Sequence, residues 1–141
     1  MRYLVGEAMT GGYGDADILH DCTIGVDEGE IAVVVGRNGA GKSTAMKAVF
    51  GMLELRSGRV MMDGEDITAL KPQERVRKGM GFVPQTNNVF PSLTVLENLE
   101  MGAFVRADDV ADTLSQVLEL FPVLKEKATQ PAGEPVSYTH L

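Results

Sequence analysis

The sequence predicts an α/β fold built around a parallel sheet, and three observations support this prediction. The run Ile31–Val35 (IAVVV) is continuous and β-branched, which is typical of a strand buried on both faces of a parallel sheet. A glycine-rich loop and a helical segment follow it directly. Strand patterns come first along the chain, and helical patterns dominate the last third. We therefore expect an α/β core over residues 1–88, followed by the start of a helical part over residues 89–133.

The segments around this central run carry their own local signals. Thr10–Asp15 (TGGYGD) is glycine-rich and predicts a loop. Ile18–Val26 alternates roughly between apolar and polar residues, which favours a half-buried strand. Ser43–Phe50 predicts a helix, because its apolar residues recur at helical spacing and Gly51 follows near its end.

The next stretch predicts a hairpin, a short helix and another strand. Asp63-Gly64 separates two apolar-containing runs, Arg59–Met62 and Glu65–Ile67, and Asp-Gly is a strong hairpin-turn signal. Pro72 suits the first position of a helix that stops at Gly79. Arg75, Arg77 and Lys78 on this helix predict a solvated charged face. Met80–Val83 predicts a second short buried strand.

The last third of the chain predicts helices. Thr94 and Glu97 form the sequence pattern of a capping box, which predicts a helix from this point to about Val105. Apolar residues between Val110 and Phe121 then fall on a single helical face.

Composition and charge exclude several classes of protein. The net charge is −7, which argues against nonspecific nucleic-acid binding as the main activity, because an acidic surface repels phosphate. The longest apolar run, Ile31–Val35, is too short to cross a bilayer. Glu7 interrupts the region where a secretory signal needs its apolar stretch. Cys22 is the single cysteine, which excludes an intrachain disulfide. We expect a cytoplasmic protein.

Residues 36–44 (GRNGAGKST) match the phosphate-binding motif G-x-x-x-x-G-K-[ST], known as Walker A, in the strand-loop-helix context that it requires. Glycines let the backbone curl so that successive amides point into one concavity, and the following helix adds its unpaired first-turn amides. In this geometry Lys42 lies by the β- and γ-phosphates and the Ser43 hydroxyl ligates Mg²⁺. The predicted phosphate-binding residues are Gly36, Arg37, Asn38, Gly39, Ala40, Gly41, Lys42, Ser43 and Thr44.

A glycine turn without a ligand is the alternative interpretation of this loop. A chance match to the motif in a chain of this length has a probability of roughly 0.005 at ordinary residue frequencies. The flanking strand and helix patterns lower that probability further. We therefore predict nucleotide binding.

Four segments together resemble the ATP-binding subunit of ABC transporters. They are GEIAVVVGRNGAGKST (29–44), SGRVMMDGEDIT (57–68), GFVPQ (81–85) and FPSLTVLENL (90–99), in the order and at the spacing usual in that family. The resemblance covers about residues 1–133. The stretch FVPQTNNVFPSLTVLENLEMGAF is most similar to the ATPases of branched-chain amino acid importers, with amide and urea importers close to them.

This resemblance implies a P-loop NTPase core with an antiparallel β part, the beginning of an α-helical subdomain, and binding and hydrolysis of ATP with Mg²⁺. It also implies two partners: a second ABC ATPase subunit, identical or related, and transmembrane permease subunits that hold the protein at the inner face of the cell membrane. No nucleic-acid partner is expected. The transported solute is not encoded in such a subunit, because the permease and an external binding protein select it.

Two further site residues are implied by position in the family pattern. Tyr13 matches the aromatic residue that stacks on adenine; the alternative is a tyrosine that only covers the sheet edge. Gln85 matches the glutamine that contacts the Mg²⁺ and the attacking water; the alternative is an ordinary polar loop residue. The resemblance thus assigns catalysis to Lys42 and Gln85, and metal binding to Ser43 and Gln85.

Other family motifs do not occur in this sequence. It contains no LSGGQ-like signature, no apolar strand ending in Asp-Glu, and no switch histidine in a matching context. We therefore expect an N-terminal fragment that is inactive alone. Residues 134–141 depart from the family and resemble a translated cloning junction, so His140 is not assigned as the switch; a genuinely divergent terminus is the alternative.

Three rival interpretations are weaker. A soluble ABC-type ATPase acting on nucleic acid or ribosomes is disfavoured by the acidic charge and the importer-like residues 82–104. A P-loop kinase is disfavoured by Gln85 and the 57–68 hairpin. His20, Asp21 and Cys22 could form a metal site, but a half-exposed strand histidine explains this cluster more simply.

Overall fold

A computed structural model describes residues 2–86, 88–104 and 106–133 of the chain. The chain divides into two compact units, Met1–Gly81 and Phe82–Leu141. The prediction that residues 134–141 are not native falls outside the described residues.

The first unit contains a four-stranded antiparallel sheet. Its strands are β1 (Leu4–Tyr13), β2 (Ala16–Val26), β3 (Leu55–Met62) and β4 (Glu65–Asp66), and their order across the sheet is β2-β1-β3-β4. The long strand β1 pairs with β2 on one side and with β3 on the other. The predicted strand Ile18–Val26 is confirmed and begins two residues earlier than expected.

The glycine-rich stretch before β2 is mostly strand, so the predicted loop over Thr10–Asp15 is wrong up to Tyr13. Glycine at this point allows the backbones of β1 and β2 to approach closely, rather than forming a loop. A β-carbon on Gly12 would lie 2.0 Å from the Ala16 carbonyl oxygen, so only glycine fits the paired position. The turn itself is short and uses Gly14, whose φ is 64°.

The predicted hairpin between β3 and β4 is confirmed. Its turn residues Asp63 and Gly64 both have positive φ, 49° and 78°. This is the requirement of the two-residue hairpin turn that Asp-Gly sequences favour. Met62 and Glu65 pair across the turn.

Two helices belong to the first unit, α1 (Lys42–Phe50) and α2 (Pro72–Arg77), and both were predicted. α1 ends at Gly51, which adopts the left-handed conformation (φ 89°) and donates its amide to the Ala48 carbonyl. The apolar core of this unit lies between α1 and the sheet. Its buried members are Met9, Leu19, Ala45, Ala48, Val49, Leu53, Val60 and Ile67.

Neither of the two predicted buried strands forms. Ile31–Val35 has no regular secondary structure, and Ile31, Val33 and Val35 are 93%, 78% and 84% exposed. Met80–Val83 is likewise not a strand. A parallel strand needs neighbours whose backbone groups pair with its own, and among the described residues no strand pairs with either segment. The parallel sheet of the predicted core is therefore not formed by the described residues.

The exposed apolar residues of segment 31–35 lead to a prediction about the isolated chain. We expect it to self-associate and to unfold over a broad temperature range, because contiguous exposed hydrocarbon favours association and weakens the folded state. Calorimetry combined with light scattering measures both effects. A sharp cooperative transition in a monodisperse sample would contradict this expectation.

The second unit contains helices α3 (Val95–Gly102), α4 (Ala111–Leu120) and α5 (Pro122–Glu126). The predicted cap of α3 is confirmed: Thr94 Oγ1 accepts a hydrogen bond from the Glu97 amide at 3.1 Å. The small core of this unit consists of Val95, Leu124 and Ala132. None of the helices in the described ranges is long and apolar enough to cross a membrane.

Candidate nucleotide-binding site

The glycine-rich loop connects segment 31–35 to the start of α1. Gly39 and Gly41 have φ of 85° and 96°, values that residues with a β-carbon rarely adopt. A β-carbon on Gly39 would contact nothing within 4 Å, so backbone conformation rather than space requires glycine there. Gly41 lies against β2, since a β-carbon on it would be 3.4 Å from Leu19 Cδ2. The loop is thus held against the sheet at its helical end.

The first turn of α1 presents backbone amides to the loop. The helix begins at Lys42, and its first internal bond from this end joins the Ala45 amide to the Gly41 carbonyl at 2.8 Å. The amides of Lys42, Ser43 and Thr44 precede that bond and have no intrahelical acceptor. Gly41, the N-cap residue, offers no side chain to satisfy them. These amides and the positive end of the helix dipole favour an anion at this point.

Lys42 folds back over the loop. Its ammonium donates hydrogen bonds to the Gly36 carbonyl and, at 2.9 Å, to the Arg37 carbonyl. The Arg37 carbonyl also accepts from the Ala40 amide at 3.1 Å. A lysine ammonium has three donors, so this arrangement places a cation within the loop and leaves one donor for an anion.

The two hydroxyl residues after Lys42 differ in burial. Ser43 is exposed on the first turn, whereas Thr44 is 7% exposed and packs inside. The single exposed hydroxyl of Ser43 suits a Mg²⁺ ion that is already bound to a phosphate, because Mg²⁺ keeps several waters and takes few protein ligands in such sites. Elsewhere in the described part of the chain, including His20, Asp21 and Cys22, no three acidic, histidine or cysteine side chains group to hold a metal ion.

A cavity of about 810 Å³ borders the start of α1. Lys42 and Ser43 reach its wall, but most of its lining is apolar and comes from β1, β2, Met46 and the 31–34 segment. Such walls suit hydrocarbon side chains better than phosphate, which needs hydrogen-bond donors. The anion-binding concavity is therefore the loop itself rather than this cavity.

Tyr13 lies at the end of β1 and is 50% exposed. Its ring centroid is 5.8 Å from the ammonium nitrogen of Lys47, which belongs to α1. The structure therefore brings Tyr13 to the helix that carries the loop. Gln85 is exposed and belongs to the second unit, so its role beside the phosphates remains a prediction.

Arg75, which contacts the last turn of α1, is a residue that sequence reasoning misjudged. Arg77 is exposed as predicted and Lys78 forms an exposed ion pair with Glu65 at 2.8 Å, but Arg75 is only 2% exposed. Removal from water lowers the pKa of its guanidinium. No feature of the charged run distinguishes Arg75 from its neighbours, because its burial depends on contacts with α1, 26 residues earlier in the chain.

A curled glycine loop that contains a lysine and opens onto a helix defines a P-loop protein. The sequence pattern of the ABC transporter family matches residues 19–138, most of the chain. The chain therefore belongs to the ABC transporter family.

Two curated relatives are close in sequence. The probable branched-chain amino acid transport ATP-binding protein LivF of Archaeoglobus fulgidus is 40% identical over 126 residues, which cover 89% of this chain and 53% of that protein. The high-affinity branched-chain amino acid transport ATP-binding protein BraG of Pseudomonas aeruginosa is 43% identical over 122 residues, covering 86% and 52%. The chain thus spans about half the length of the curated relatives it matches.

A solved structure confirms the predicted fold class. A nucleotide-free ATP-binding cassette from an ABC transporter superposes with a TM-score of 0.78 at 28% identity, covering 95% of this chain and 59% of that one. The described residues therefore form part of an α/β cassette, although the parallel strands expected at 31–35 and 80–83 are not formed.

Proposed function

We propose that this chain is the phosphate-binding part of an importer ATPase and binds ATP together with Mg²⁺. The observation that carries the proposal is the loop at residues 36–44, where the Lys42 ammonium and the unpaired first-turn amides of α1 converge. These donors match a triphosphate, which carries several negative oxygens close together.

Different residues of the loop contact different parts of the bound nucleotide. When ATP binds, the Lys42 ammonium gives up a hydrogen bond to a loop carbonyl and donates to the β- and γ-phosphate oxygens instead. The first-turn amides of α1 donate to the other phosphate oxygens. The Ser43 hydroxyl would hold Mg²⁺, which when bound would supply neutralisation of the phosphate charge. Gln85 is assigned to the water that attacks the γ-phosphate in line. Positioning and electrostatic stabilisation, rather than covalent catalysis, then account for hydrolysis.

The cargo and partners are proposed from the relatives. Both named relatives are transport ATP-binding proteins for branched-chain amino acids, which supports an importer for these or similar solutes. The partners are then a second ATPase subunit and permease subunits, with this chain on the inner face of the membrane. Purification of the full-length protein with its associated chains tests this: a permease should co-purify, and nucleic acid in its place would contradict the assignment.

Nucleotide binding is tested directly by titrating the chain with a fluorescent ATP analogue, with and without Mg²⁺. We expect saturable binding that unlabelled ATP displaces and AMP does not, because AMP lacks the phosphates that the loop and Lys42 contact. Equal displacement by AMP would place recognition at the base and contradict a phosphate site in this loop.

Tyr13 provides a prediction for the base end of the ligand. Tyr13→Ala should weaken ATP binding by about threefold to tenfold, since stacking on an aromatic ring contributes roughly 1 kcal/mol. Inorganic tripolyphosphate, which has no base, should bind equally well to both proteins. Tyr3→Ala provides a control tyrosine change at the residue before β1, whereas Tyr13 is the last residue of that strand. An unchanged ATP affinity in Tyr13→Ala would show that the ring only covers the sheet edge.

A further inference from the structure

Arg75 is a buried arginine whose guanidinium is enclosed by backbone carbonyls. Its Nε donates to the Leu70 carbonyl at 3.0 Å, and Nη2 donates to the Thr68 carbonyl at 2.9 Å. Its Nη1 donates to the Val49 and Ala48 carbonyls at 2.7 and 3.3 Å. No carboxylate within the described residues lies at ion-pair distance from it. The charge is therefore balanced by carbonyl dipoles rather than by an acidic side chain.

These contacts join the end of α1 to a separate segment of the chain. Ala48 and Val49 lie in the last turn of α1, where the carbonyls form the negative end of the helix dipole; the Ala48 carbonyl also accepts from the Gly51 amide. Leu70 and Thr68 lie in the connection between β4 and α2. A planar guanidinium with five donors can bridge both groups at once, which a single ammonium cannot do.

The residue after α1 is shaped to receive this side chain. A β-carbon on Gly51 would lie 2.7 Å from Arg75 Nε and 2.8 Å from Cζ. Gly51 also has a φ of 89°, so glycine both closes the helix and leaves room for the guanidinium. The three heavy atoms nearest to that position all belong to the Arg75 guanidinium.

We propose that Arg75 is a positioning residue that anchors the C-terminal end of α1 and so fixes where the amides at its N-terminal end point. α1 has nine residues and is about 13 Å long, so a tilt of about 5° at one end displaces the other by about 1 Å. Displacements of that size are enough to impair a site that depends on aligned donors. The inference rests on the proposed function, because it assigns Arg75 to the same nucleotide site.

The first experiment needs no nucleotide. Amide chemical shifts are compared among the wild-type chain, Arg75→Met and Arg77→Met, which makes the same substitution at an exposed position of the same helix. We expect the Ser43 and Thr44 amides to shift in Arg75→Met and to stay unchanged in Arg77→Met. Unchanged Ser43 and Thr44 shifts in folded Arg75→Met would overturn the proposal.

The second experiment separates positioning from stability. ATP titrations with Mg²⁺ give both the Kd and the fraction of chains able to bind. Arg75→Met should raise the Kd by at least fivefold among competent chains, whereas Arg77→Met should leave it unchanged. A lower competent fraction and melting temperature with an unchanged Kd would indicate a structural role alone and would overturn the proposal.

Arg75→Lys decides the matter if Arg75→Met does not fold. It keeps the positive charge but cannot bridge all four carbonyls, so we expect a folded chain with an intermediate Kd and shifted Ser43 and Thr44 amides. A wild-type Kd and wild-type amide shifts in Arg75→Lys would overturn the proposal. If wild-type chain fails to bind ATP, the proposed function fails, while the nucleotide-free amide shifts still decide whether Arg75 orients the loop.

Discussion

Replacing Lys42 with alanine is expected to weaken ATP binding by about tenfold to hundredfold. The substitution removes the cation that the loop holds against the Gly36 and Arg37 carbonyls. A hydrogen bond to a charged group is worth about 1.5–3 kcal/mol, and each 1.4 kcal/mol changes affinity tenfold. Titration with a fluorescent ATP analogue measures the change, and hydrolysis by the full-length protein should be lost.

Lys125→Ala is the matched control for this prediction. Lys125 is an exposed lysine on α5, so its removal changes the net charge equally without touching the loop. Its ATP affinity should equal that of the wild-type chain. If both variants lose affinity to the same extent, net charge rather than the loop governs binding, and the assignment of Lys42 is wrong.

Replacing Ile67 with alanine is expected to lower the free energy of unfolding of the first unit by about 3 kcal/mol. Ile67 is fully buried, and its amide bonds to the Val60 carbonyl at 2.9 Å. Truncating a buried isoleucine removes hydrocarbon from the core and leaves a cavity, at a typical cost of about 2–5 kcal/mol. Native-state hydrogen exchange of the β3 amides measures the change, because it reports opening free energies without a cooperative global transition.

Ile31→Ala makes the same substitution at an exposed position. Ile31 is 93% exposed, so the unfolding free energy should change by no more than about 0.5 kcal/mol. The pair compares an isoleucine that is buried with one that the sequence predicts in a buried strand but that is exposed. A loss at Ile31 as large as that at Ile67 would mean that the 31–35 segment is packed in solution.

Local chemistry made much of this chain predictable. The Asp63-Gly64 turn, the Thr94 cap and the start of α1 form as expected, because each depends on residues within about four positions of one another. The phosphate loop is predictable for the same reason: its glycines, lysine and first-turn amides are contiguous in the chain. Its ligand and the roles of Tyr13 and Gln85 remain predictions.

Contacts between distant residues were not predictable in this way. The 31–35 run has the composition of a buried strand, but burial requires partner strands, and none forms among the described residues. Arg75 belongs to a charged run that is typical of a solvated helix face, yet carbonyls from α1 enclose its guanidinium. In both cases the residue type favours burial or exposure, and the packing of distant segments determines which of the two occurs.

The amino-acid sequence by itself determined the family, the hairpin turn, the helix starts and the phosphate-binding loop, since these follow from short-range backbone preferences and a contiguous motif. Only the tertiary structure decided that the glycine-rich stretch before Tyr13 pairs as a strand, that Ile31 is exposed, and that Arg75 is buried. The physical reason is that strand pairing and burial depend on contacts between segments that are far apart in the chain. Local sequence patterns do not specify which distant segments come into contact.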